Sequence, residues 1–574
     1  MISIIKNEYV YSFLEFIKLF KFLDKKKKIA IIFAIFFTII SSLIEILSIG
    51  AIIPFVSSIL SYEHSYFYKN VLNFLNKINF NLSRPVLFFS IIFLFLIILS
   101  NLIRGVVLFI VIQLSKSISA DFSIKIFDNL LKNKYEDFIK KNSTYTLSTI
   151  SEKIEILSGI IFNFFSASSS VIICLVILLF LFFVNLKITL FSILFLIFTY
   201  VLITKYNKKK LEKISKILSD LSFSRLKSVR ESLYSMREII LNNKNILHVR
   251  NFSKQELSFR KNQGSLAFLY LFPRYIIETL GAVLIIFLFN FINIYNKISF
   301  PDLIPLFALF IFSIQKLLPL LNNIYISFAS ALGNRIFINE IYNDLNLSIQ
   351  SLNNNRKKIN FKKNVCFKNI SFKYSQRDKF IFNNFYINIK KNNKYLIVGK
   401  TGSGKSTFLD LFLGILRPNE GAIYIDNNLL KNNILKDWQK KIAHIPQQIF
   451  LSDGTIAQNI CFEFNKLLIN KKKLIESAKL AEIHDFIQSL PHKYNTIVGE
   501  NGIFLSGGQR QRLGIARALY QCKEILILDE ATSALDYETE KKILNNIFKI
   551  KKITLLLVAH KIKSHIKFDK ILKF

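Results

Sequence analysis

The chain has 574 residues, enough for several domains, and its hydrophobic fraction of 52% with a mean hydropathy of +0.37 is too high for a protein that is soluble throughout. Part of the chain is therefore expected to lie in lipid. The net charge of +39 comes from lysines spread through the polar segments, and because no compact basic module with interleaved aromatic residues occurs, no nucleic-acid partner is expected.

Residues 1–28 predict an amphipathic elbow ahead of the first apolar segment. Val10, Phe13, Ile17 and Phe20 recur at helical spacing. Such a stripe suits a helix that lies on the cytoplasmic membrane surface or one that packs on protein, and the pattern leaves both open. A signal peptide has its charges before its apolar part, whereas here the lysine run 25–28 follows the stripe, so no cleavage is expected.

Residues 29–335 predict a transmembrane domain of six helices. A span needs about 20 apolar residues to cross about 30 Å of hydrocarbon. The fourth predicted span is short unless its helix continues past Lys205. The six spans are Ile29–Leu60, Val86–Leu114, Gly159–Val184, Ile188–Ile203, Leu266–Tyr295 and Ile304–Ala331.

The loops between these spans alternate between short and long. The two long ones, residues 114–159 and 203–266, hold more lysine and arginine than the short ones. Because cytoplasmic loops carry the excess of positive residues, the N-terminus, both long loops and the segment after the sixth span are predicted to be cytoplasmic.

Arg104, Arg274 and Lys316 fall within or near the ends of predicted spans. A charge at mid-bilayer costs about 2.5–3.5 kcal/mol, so each one calls for a reason. Facing a shared cavity, the three would form a cationic ring suited to an anionic headgroup such as phosphate or pyrophosphate. The alternative is structural pairing with Glu45 and Glu278, since Arg274 and Glu278 are one helical turn apart.

Residues 336–358 predict a linker rich in asparagine, lysine and serine, and residues 359–574 predict an α/β domain with a largely parallel sheet. Within that domain the string Gly399-Lys-Thr-Gly-Ser-Gly-Lys-Ser406 lies between an apolar strand, 394–398, and an apolar helix, 406–415. This context indicates a phosphate-binding loop. Its predicted nucleotide contacts are Gly399, Lys400, Thr401, Gly402, Ser403, Gly404, Lys405, Ser406 and Thr407.

The same loop and a later acidic pair predict the chemistry of ATP hydrolysis. Lys405 is expected to contact the β- and γ-phosphates, and the Ser406 hydroxyl to bind Mg²⁺. Asp529 ends an apolar strand and is placed to assist Mg²⁺ through water. Glu530 beside it is the expected general base, which aligns the attacking water. ATP and Mg²⁺ are the predicted substrate and cofactor.

Together with Leu505-Ser-Gly-Gly-Gln-Arg510, these motifs make the second half, from Ile359 to Phe574, resemble an ABC transporter ATPase. The resemblance implies that Tyr374 stacks on adenine and that Gln447 senses Mg²⁺ and the membrane domain. It implies a γ-phosphate contact for His560. The residues that would close over ATP bound to the opposite subunit are the signature residues Ser506, Gly507, Gly508 and Gln509, with Asp536 in the loop that crosses the dimer interface.

The resemblance extends to architecture: a six-helix membrane domain of the ABC exporter type, followed by an α/β phosphate-loop ATPase domain. One such chain is half of a transporter, so a homodimer, or a heterodimer with a close relative, is implied; two intact sites favour the homodimer. Coupling helices are expected near 141–148 and 236–244. Because no catalytic position is visibly degenerate, a non-hydrolytic channel or receptor is disfavoured.

A finer resemblance links 47–55, Pro273-Arg274 and 445–450 to PglK-like flippases of lipid-linked oligosaccharides, together with an apolar stripe at 71–78 in the first external loop. It implies an ATP-driven flippase in the bacterial inner membrane with its ATPase domain in the cytoplasm, with membrane lipids and a lipid-linked glycan as partners. Lys316 stands where such relatives carry arginine. The competing hypotheses are a general lipid or multidrug exporter and a peptide exporter.

Overall fold

The computed structural model describes residues 16–59, 84–133, 135, 143–295, 300–346, 358–374, 379–521, 523–559 and 567–574. The first half of the predicted elbow, the external stripe at 71–78 and His560 lie outside these ranges. The chain divides into two compact units, one of residues 1–133 with 137–351 and one of residues 134–136 with 352–574.

The first unit is helical over almost all of its described residues. Its main helices are α1 (Lys25–Gly50), α2 (Ile52–Ile59), α3 (Pro85–Lys132), α4 (Ser143–Ser148), α5 (Ile154–Val184), α6 (Leu186–Tyr234), α7 (Met236–Leu241), α8 (Asn245–Leu271), α9 (Pro273–Tyr295), α10 (Phe300–Gly333) and α11 (Arg335–Asn346). The short helices α4 and α7 lie where the coupling helices were expected.

Within the described residues, six stretches of this unit are long and apolar enough to cross a membrane, which confirms the predicted number and order of the spans. The helices run well beyond the predicted ends. At 1.5 Å per residue, the 48 residues of α3 and the 49 of α6 each extend about 70 Å, more than twice the hydrocarbon thickness. The predicted long loops are therefore largely helical extensions. Their polar composition did not predict that the helices continue beyond the apolar spans.

The turn between α5 and α6 is as short as predicted because its polar side chains cap both helices. The Asn185 side chain accepts a hydrogen bond from the backbone N–H of Ile188 at 3.2 Å. The Thr189 hydroxyl donates to the carbonyl oxygens of Leu181 and Asn185 at 2.9 and 2.7 Å. The backbone groups left without helical partners are thereby satisfied within one tight connection.

The described part of the elbow packs on protein rather than lying alone on a surface. Phe16 and Leu19 are 2% and 1% exposed, and they join a hydrophobic cluster formed with α3, α5 and α11. The ring centroids of Phe16 and Phe164 are 5.0 Å apart. Of the two interpretations left open by the sequence, packing on protein holds for these residues.

Helix α11 occupies the first part of the segment predicted as a linker. Its residues Ile338, Ile341 and Leu345 are buried in the same cluster as Phe16. The apolar positions are three and four apart, so they form one face of a helix that anchors to the first unit. Residues 347–357, the remainder of the predicted linker, lie outside the described ranges.

The second unit is built on two sheets. The strands are β1 (Asn364–Phe372), β2 (Phe382–Lys390), β3 (Lys394–Val398), β4 (Glu420–Ile425), β5 (Asn428–Leu429), β6 (Ile442–Ile445), β7 (Ile525–Asp529), β8 (Thr554–Val558) and β9 (Lys570–Lys573). The antiparallel sheet has the order β2-β1-β4-β5, and the parallel sheet has the order β6-β7-β8-β3-β9. The helices are α12 (Lys405–Phe412), α13 (Asn432–Gln439), α14 (Ile456–Cys461), α15 (Lys471–Leu480), α16 (His484–Ser489), α17 (Gly507–Gln521) and α18 (Tyr537–Phe548).

The parallel sheet is covered on both faces, which confirms the predicted α/β architecture. Strand β8 is buried along its whole length. Its alternate residues Leu555 and Leu557 belong to one hydrophobic core, and Leu556 and Val558 belong to the other. A continuous apolar run is what a strand buried on both faces requires. The carboxyl ends of β3, β7 and β8 therefore lie side by side at one edge of the sheet.

Candidate nucleotide-binding site

The predicted phosphate loop connects β3 to α12, and its shape depends on glycine. Gly402 and Gly404 have φ angles of +82° and +96°, a region that residues with a side chain rarely adopt. At Gly404 a Cβ atom would also lie 2.8 Å from Cγ2 of Ile381. Glycine at these two positions therefore lets the backbone turn sharply from the strand into the helix.

Lys405 is the first residue of α12, and its side chain folds back across the loop. It is 7% exposed, and its Nζ donates to the carbonyl oxygens of Gly399 and Lys400 at 2.8 and 3.0 Å. The N-terminal N–H groups of α12 have no helical acceptors and carry the positive end of the helix dipole. The loop therefore presents an ammonium group and backbone donors together, as phosphate binding requires.

Ser403 adds a polar group that suits a ligand at the loop. Its Oγ is buried and has no hydrogen-bond partner within the described part of the protein. A buried hydroxyl without a partner is costly. The phosphate oxygens of a bound nucleotide would supply the missing partner, so the residues of this loop fit ATP.

Asp529, Glu530 and Gln447 meet at the carboxyl edge of the parallel sheet. Asp529 ends β7 opposite Val558 of β8. Glu530 has a φ of +51°, and its backbone N–H donates to the carbonyl oxygen of Val558 at 3.3 Å. Gln447, just after β6, donates from Nε2 to Oε2 of Glu530 at 2.7 Å. The sheet thus brings two strand-end motifs into direct contact.

Negative charge accumulates at this edge. Burial raises the pKa of the Asp529 carboxyl above its usual value, the charge of Glu530 raises it further, and the Lys405 ammonium opposes both. On α12, burial raises the pKa of Asp410 to about 6, and the charge of Asp529 adds to this effect. A divalent cation would relieve the repulsion.

The donors near Asp529 fit Mg²⁺, which prefers hard oxygen ligands and is commonly held by one or two protein groups together with phosphate oxygens and water. Asp529 and Gln447 offer side-chain oxygens at the sheet edge, and Ser406 offers its hydroxyl at the start of α12. The fit rests on the chemistry of these groups and on the excess of carboxylate charge beside them.

Tyr374 lies beside the start of α12. Its Oη is 3.4 Å from Oγ1 of Thr407, and its ring packs edge-on against Phe372 with centroids 5.1 Å apart. An aromatic side chain is therefore held next to the phosphate loop. This position is compatible with the predicted adenine contact.

The signature residues 506–509 form the beginning of α17. The backbone N–H of Ser506 donates to Oε1 of Gln509 at 2.8 Å, and the backbone N–H of Gln509 donates to Oγ of Ser506 at 3.2 Å. This reciprocal pattern is a capping box. A Cβ atom at Gly508 would lie 3.2 Å from the carbonyl oxygen of Ala534, so the glycine permits close packing of this helix start on the 533–536 loop.

Asp536 ends that loop and caps the following helix. Its Oδ2 accepts from the backbone N–H of Thr539 at 2.9 Å, and this bond lowers the pKa of the Asp536 carboxyl. Within one chain the signature residues and the Asp536 loop thus contact each other.

His560 lies outside the described residues, but the strand that leads to it is well placed. The backbone N–H of Ala559 donates to the carbonyl oxygen of Ile397 at 3.0 Å. Strand β8 therefore ends beside β3, the strand that enters the phosphate loop.

Comparison with known proteins agrees with this geometry. Residues 382–533 match the family model described as ABC transporter. A solved structure described as a bacterial Atm1-family ABC exporter with ATP bound superposes with a TM-score of 0.79 at 22% identity, covering 96% of this chain and 94% of that one. The chain has the fold of an ABC exporter.

Curated relatives of this exporter fold match over a shorter stretch. Two proteins named ATP-dependent lipid A-core flippase, from Wigglesworthia glossinidia brevipalpis and Pseudoalteromonas translucida, are 42% and 41% identical over 209 and 210 residues. The Escherichia coli O157:H7 protein named alpha-hemolysin translocation ATP-binding protein HlyB is 42% identical over 201 residues. These matches cover 35–36% of this chain and 28–36% of the relatives, so the chain spans about a third of their length.

In the helical unit of this exporter fold, two of the three predicted cationic residues meet at one carboxylate. Glu45 on α1 is 1% exposed, and its Oε1 lies 3.0 Å from Nζ of Lys316 and 3.6 Å from Nη1 of Arg104. Arg274 instead pairs with Glu278 one helical turn away, Nε to Oε1 at 2.7 Å, and both side chains are exposed. The predicted ring is therefore reduced to Arg104 and Lys316, and Arg274 shows the structural pairing that the sequence left open.

Motif reasoning missed some polar residues of the second unit. Gln511 donates from Nε2 to Oγ of Ser533 at 3.1 Å and accepts from the backbone N–H of Ala534 at 2.8 Å, joining α17 to the Asp536 loop. Asp410 faces the charge of Asp529 from α12. Only weak indications of these two residues were present in the sequence. Asp410 is a single acidic residue in the apolar run Phe408-Leu-Asp-Leu-Phe412, and Gln511 lies two residues after Gln509.

Proposed function

We propose that this chain is the subunit of a homodimeric ABC exporter that hydrolyses ATP and moves an anionic lipid-linked glycan across the bacterial inner membrane, with its ATPase unit in the cytoplasm. The observation that carries the hydrolytic part is the 2.7 Å contact between Gln447 and Glu530, at the sheet edge that also holds Asp529. Support for the transport part comes from the exporter fold and the six candidate spans.

In the proposed mechanism the phosphates of ATP lie against the N-terminus of α12, with Lys405 turned toward the β- and γ-phosphates. Ser406, Asp529 and Gln447 would hold Mg²⁺, which would neutralise charge on the phosphate oxygens when bound. Glu530 orients a water molecule and accepts its proton while the water oxygen forms a bond to the γ-phosphorus and the bond to the bridging oxygen of ADP breaks. Gln447, through its hydrogen bond, positions the Glu530 carboxylate.

The proposed homodimer is supported by the units that the described residues form. These residues form one helical unit with six candidate spans and one ATPase unit. The signature residues would act on the nucleotide bound to the second copy, where the N-terminus of α17 and the small Gly507 and Gly508 allow close approach to phosphate. Two equivalent sites then form at the interface between the copies.

The proposed cargo rests on charge and on the named relatives. Arg104 and Lys316 place two cationic groups against one carboxylate within the candidate spans, which favours an anionic headgroup. Two of the curated relatives are named as flippases of a lipid, lipid A-core, which favours a lipid as the cargo. A general lipid or multidrug exporter is the second candidate, because the pairing of Arg274 with Glu278 makes the helical unit less cationic than the sequence predicted.

The decisive experiment measures ATP-dependent translocation of a labelled polyprenyl-pyrophosphate-linked oligosaccharide in proteoliposomes. The wild type is expected to move it, and Glu530→Gln is expected to lose both transport and ATP hydrolysis by about 10²–10⁴-fold, because it lacks the general base. Glu538→Gln is the matched control, since Glu538 is an exposed residue of α18 and should behave as wild type.

Each contrary outcome has a distinct meaning. ATP hydrolysis without movement of the labelled glycolipid would overturn the cargo and favour the general exporter. Movement that survives Glu530→Gln would overturn hydrolysis-driven transport and favour a channel.

A further inference from the structure

The carboxylate of Glu45 is held in an unusual environment among the described residues of the helical unit. It is 1% exposed and contacts two cations on different helices, Lys316 on α10 and Arg104 on α3. Neither of its oxygens has a hydrogen bond of good geometry in the described residues. A buried carboxylate that relies on charge attraction alone is poorly satisfied.

The two cations are not equivalent partners of Glu45. Lys316 approaches to 3.0 Å and its side chain is 15% exposed, whereas Arg104 stays at 3.6 Å and its side chain is 30% exposed. Guanidinium carries five donors in a planar fork that suits phosphate oxygens. The cluster has two positive charges and one negative charge, so Arg104 is the cation whose charge is less fully compensated.

Arg104 also lines a cavity of about 280 Å³, bounded by residues of α1, α3, α5 and α10. The polar groups of its wall are mostly hydroxyls. Ser41, which is 1% exposed, has an Oγ without a hydrogen-bond partner in the described residues. The other polar residues that line it are Ser166, Ser169, Ser170 and Asn323.

Part of this wall is already ordered by hydrogen bonds. Oγ of Ser169 lies 3.2 Å from Oγ1 of Thr38, and Nδ2 of Asn323 donates to Oγ of Ser170 at 3.4 Å. Serine hydroxyls and an arginine fork are donors that an anion can accept from, and a cavity of this volume admits a phosphate group but not a whole glycan.

We infer that Arg104, Ser41 and the serines of α5 form a subsite for a phosphate-type anion, and that Glu45 is an internal competitor for it. Glu45 stabilises the two cations when no anion is bound. When a headgroup enters, its phosphate replaces Glu45 as the partner of Arg104. This inference rests on the proposed function, because it assigns the place where the anionic headgroup of the cargo binds.

Glu45 therefore tunes affinity rather than providing it. Its charge repels the anion at short range, where the low dielectric constant makes repulsion strong. Removing that charge should tighten binding of the anion, and removing the Arg104 charge should weaken it. A purely structural Glu45 would give no such opposite pair of effects.

The test measures binding of dodecyl phosphate to the full-length protein in nanodiscs of phosphatidylcholine. Glu45→Gln is expected to bind the probe about tenfold more tightly than wild type, and Arg104→Gln about tenfold more weakly. Glu278→Gln is the matched control: it breaks the exposed pair with Arg274 and should leave affinity unchanged. The ATP-binding residues are the same in all variants, so probe bound at the phosphate loop contributes equally.

A charge-compensated variant guards against a failure to fold. Glu45→Gln leaves two partly buried cations unpaired, whereas Glu45→Gln with Lys316→Gln keeps the net charge of the cluster at that of wild type and should bind with near-wild-type affinity. Inorganic phosphate added as a competitor separates the sources: displacement of the probe at equal concentration assigns the site to free phosphate, and failure to displace assigns it to a lipid headgroup.

The inference is overturned if Arg104→Gln binds the probe as wild type does, or if Glu45→Gln, or the double variant when the single one does not fold, departs from its expected affinity. The proposed function fails separately. Correct binding effects without glycolipid transport would keep the anion subsite and remove the cargo, and transport with no binding effects would do the reverse.

Discussion

The two units of this protein place their charged residues by different means. In the ATPase unit, Lys405, Glu530 and Gln447 lie in short motifs that follow strands of one parallel sheet, so the sheet itself places them at the same edge. In the helical unit, Glu45, Arg104 and Lys316 come from three helices distant in the chain. Site residues that lie in short motifs can be predicted from the sequence. Ion pairs between helices cannot, because they depend on how each helix is rotated in the bundle.

The largest expected effect that would test this comparison is at Lys405. Lys405→Ala removes an ammonium group held over the phosphate loop and should lower ATP affinity by about 100-fold, since a hydrogen bond to a charged group contributes about 1.5–3 kcal/mol. Lys436→Ala, at an exposed lysine of α13 outside the loop, is the control and should change affinity by less than about threefold. Equilibrium binding of a fluorescent ATP analogue measures both; equal losses would show that the motif position does not matter.

The next effect concerns the glycines of the loop. Gly404→Ala should lower the free energy of unfolding of the ATPase unit by about 2–3 kcal/mol and weaken ATP binding, because its Cβ would clash with Ile381 and its φ is positive. Gly402→Ala shares the positive φ, but nothing lies within 4 Å of its Cβ, so a loss of about 1 kcal/mol is expected. Thermal unfolding with and without ATP compares the two, and identical losses would contradict the steric argument.

A smaller effect depends on pH. Burial raises the pKa of Asp410 to about 6 from 3.8, so the folded protein binds this proton more tightly than the unfolded chain, and the carboxyl's contribution to stability is lost as pH rises from about 4 to 6. Asp410→Asn should therefore raise the free energy of unfolding at pH 7.5 by about 1 kcal/mol, allowing for solvent screening of a half-buried group. The gain should shrink as pH falls from about 6 to 4, the range between the folded and unfolded pKa values.

Thermal unfolding of Asp410→Asn across this pH range provides the measurement. Asp485→Asn is a suitable control because Asp485 lies in the first turn of a different helix, α16. A gain for Asp410→Asn that stays constant with pH would show that the carboxyl does not titrate as described.

The smallest effect is expected at Arg274. Its pair with Glu278 is exposed, and exposed ion pairs contribute about 0–1 kcal/mol. Arg274→Gln should therefore change stability by less than about 0.5 kcal/mol and transport by less than about twofold, while Arg104→Gln has the larger effect on transport. Initial transport rates in proteoliposomes measure the difference. A larger loss of transport rate in Arg274→Gln would indicate that Arg274 contacts the substrate.

The sequence predicted much of the candidate site because strand–loop–helix context and residue spacing determine it locally. The phosphate loop, the acidic pair at the end of β7 and the start of α17 occur where they were expected. The partners of these groups were harder to predict. Gln509 caps its own helix with Ser506, and Asp410 lies close enough to Asp529 to be affected by its charge. Both features depend on rotamers and packing, which a sequence motif does not specify.

The sequence by itself determined the number and order of the spans and the α/β class of the ATPase unit, because hydrophobic length and strand–helix alternation are properties of continuous segments. Only the tertiary structure decided that the predicted long loops are largely helical extensions, that Phe16 packs against Phe164, and that Glu45 joins Arg104 to Lys316. These features arise from contacts between segments far apart in the chain, and such contacts depend on how helices are oriented against each other, which local composition does not specify.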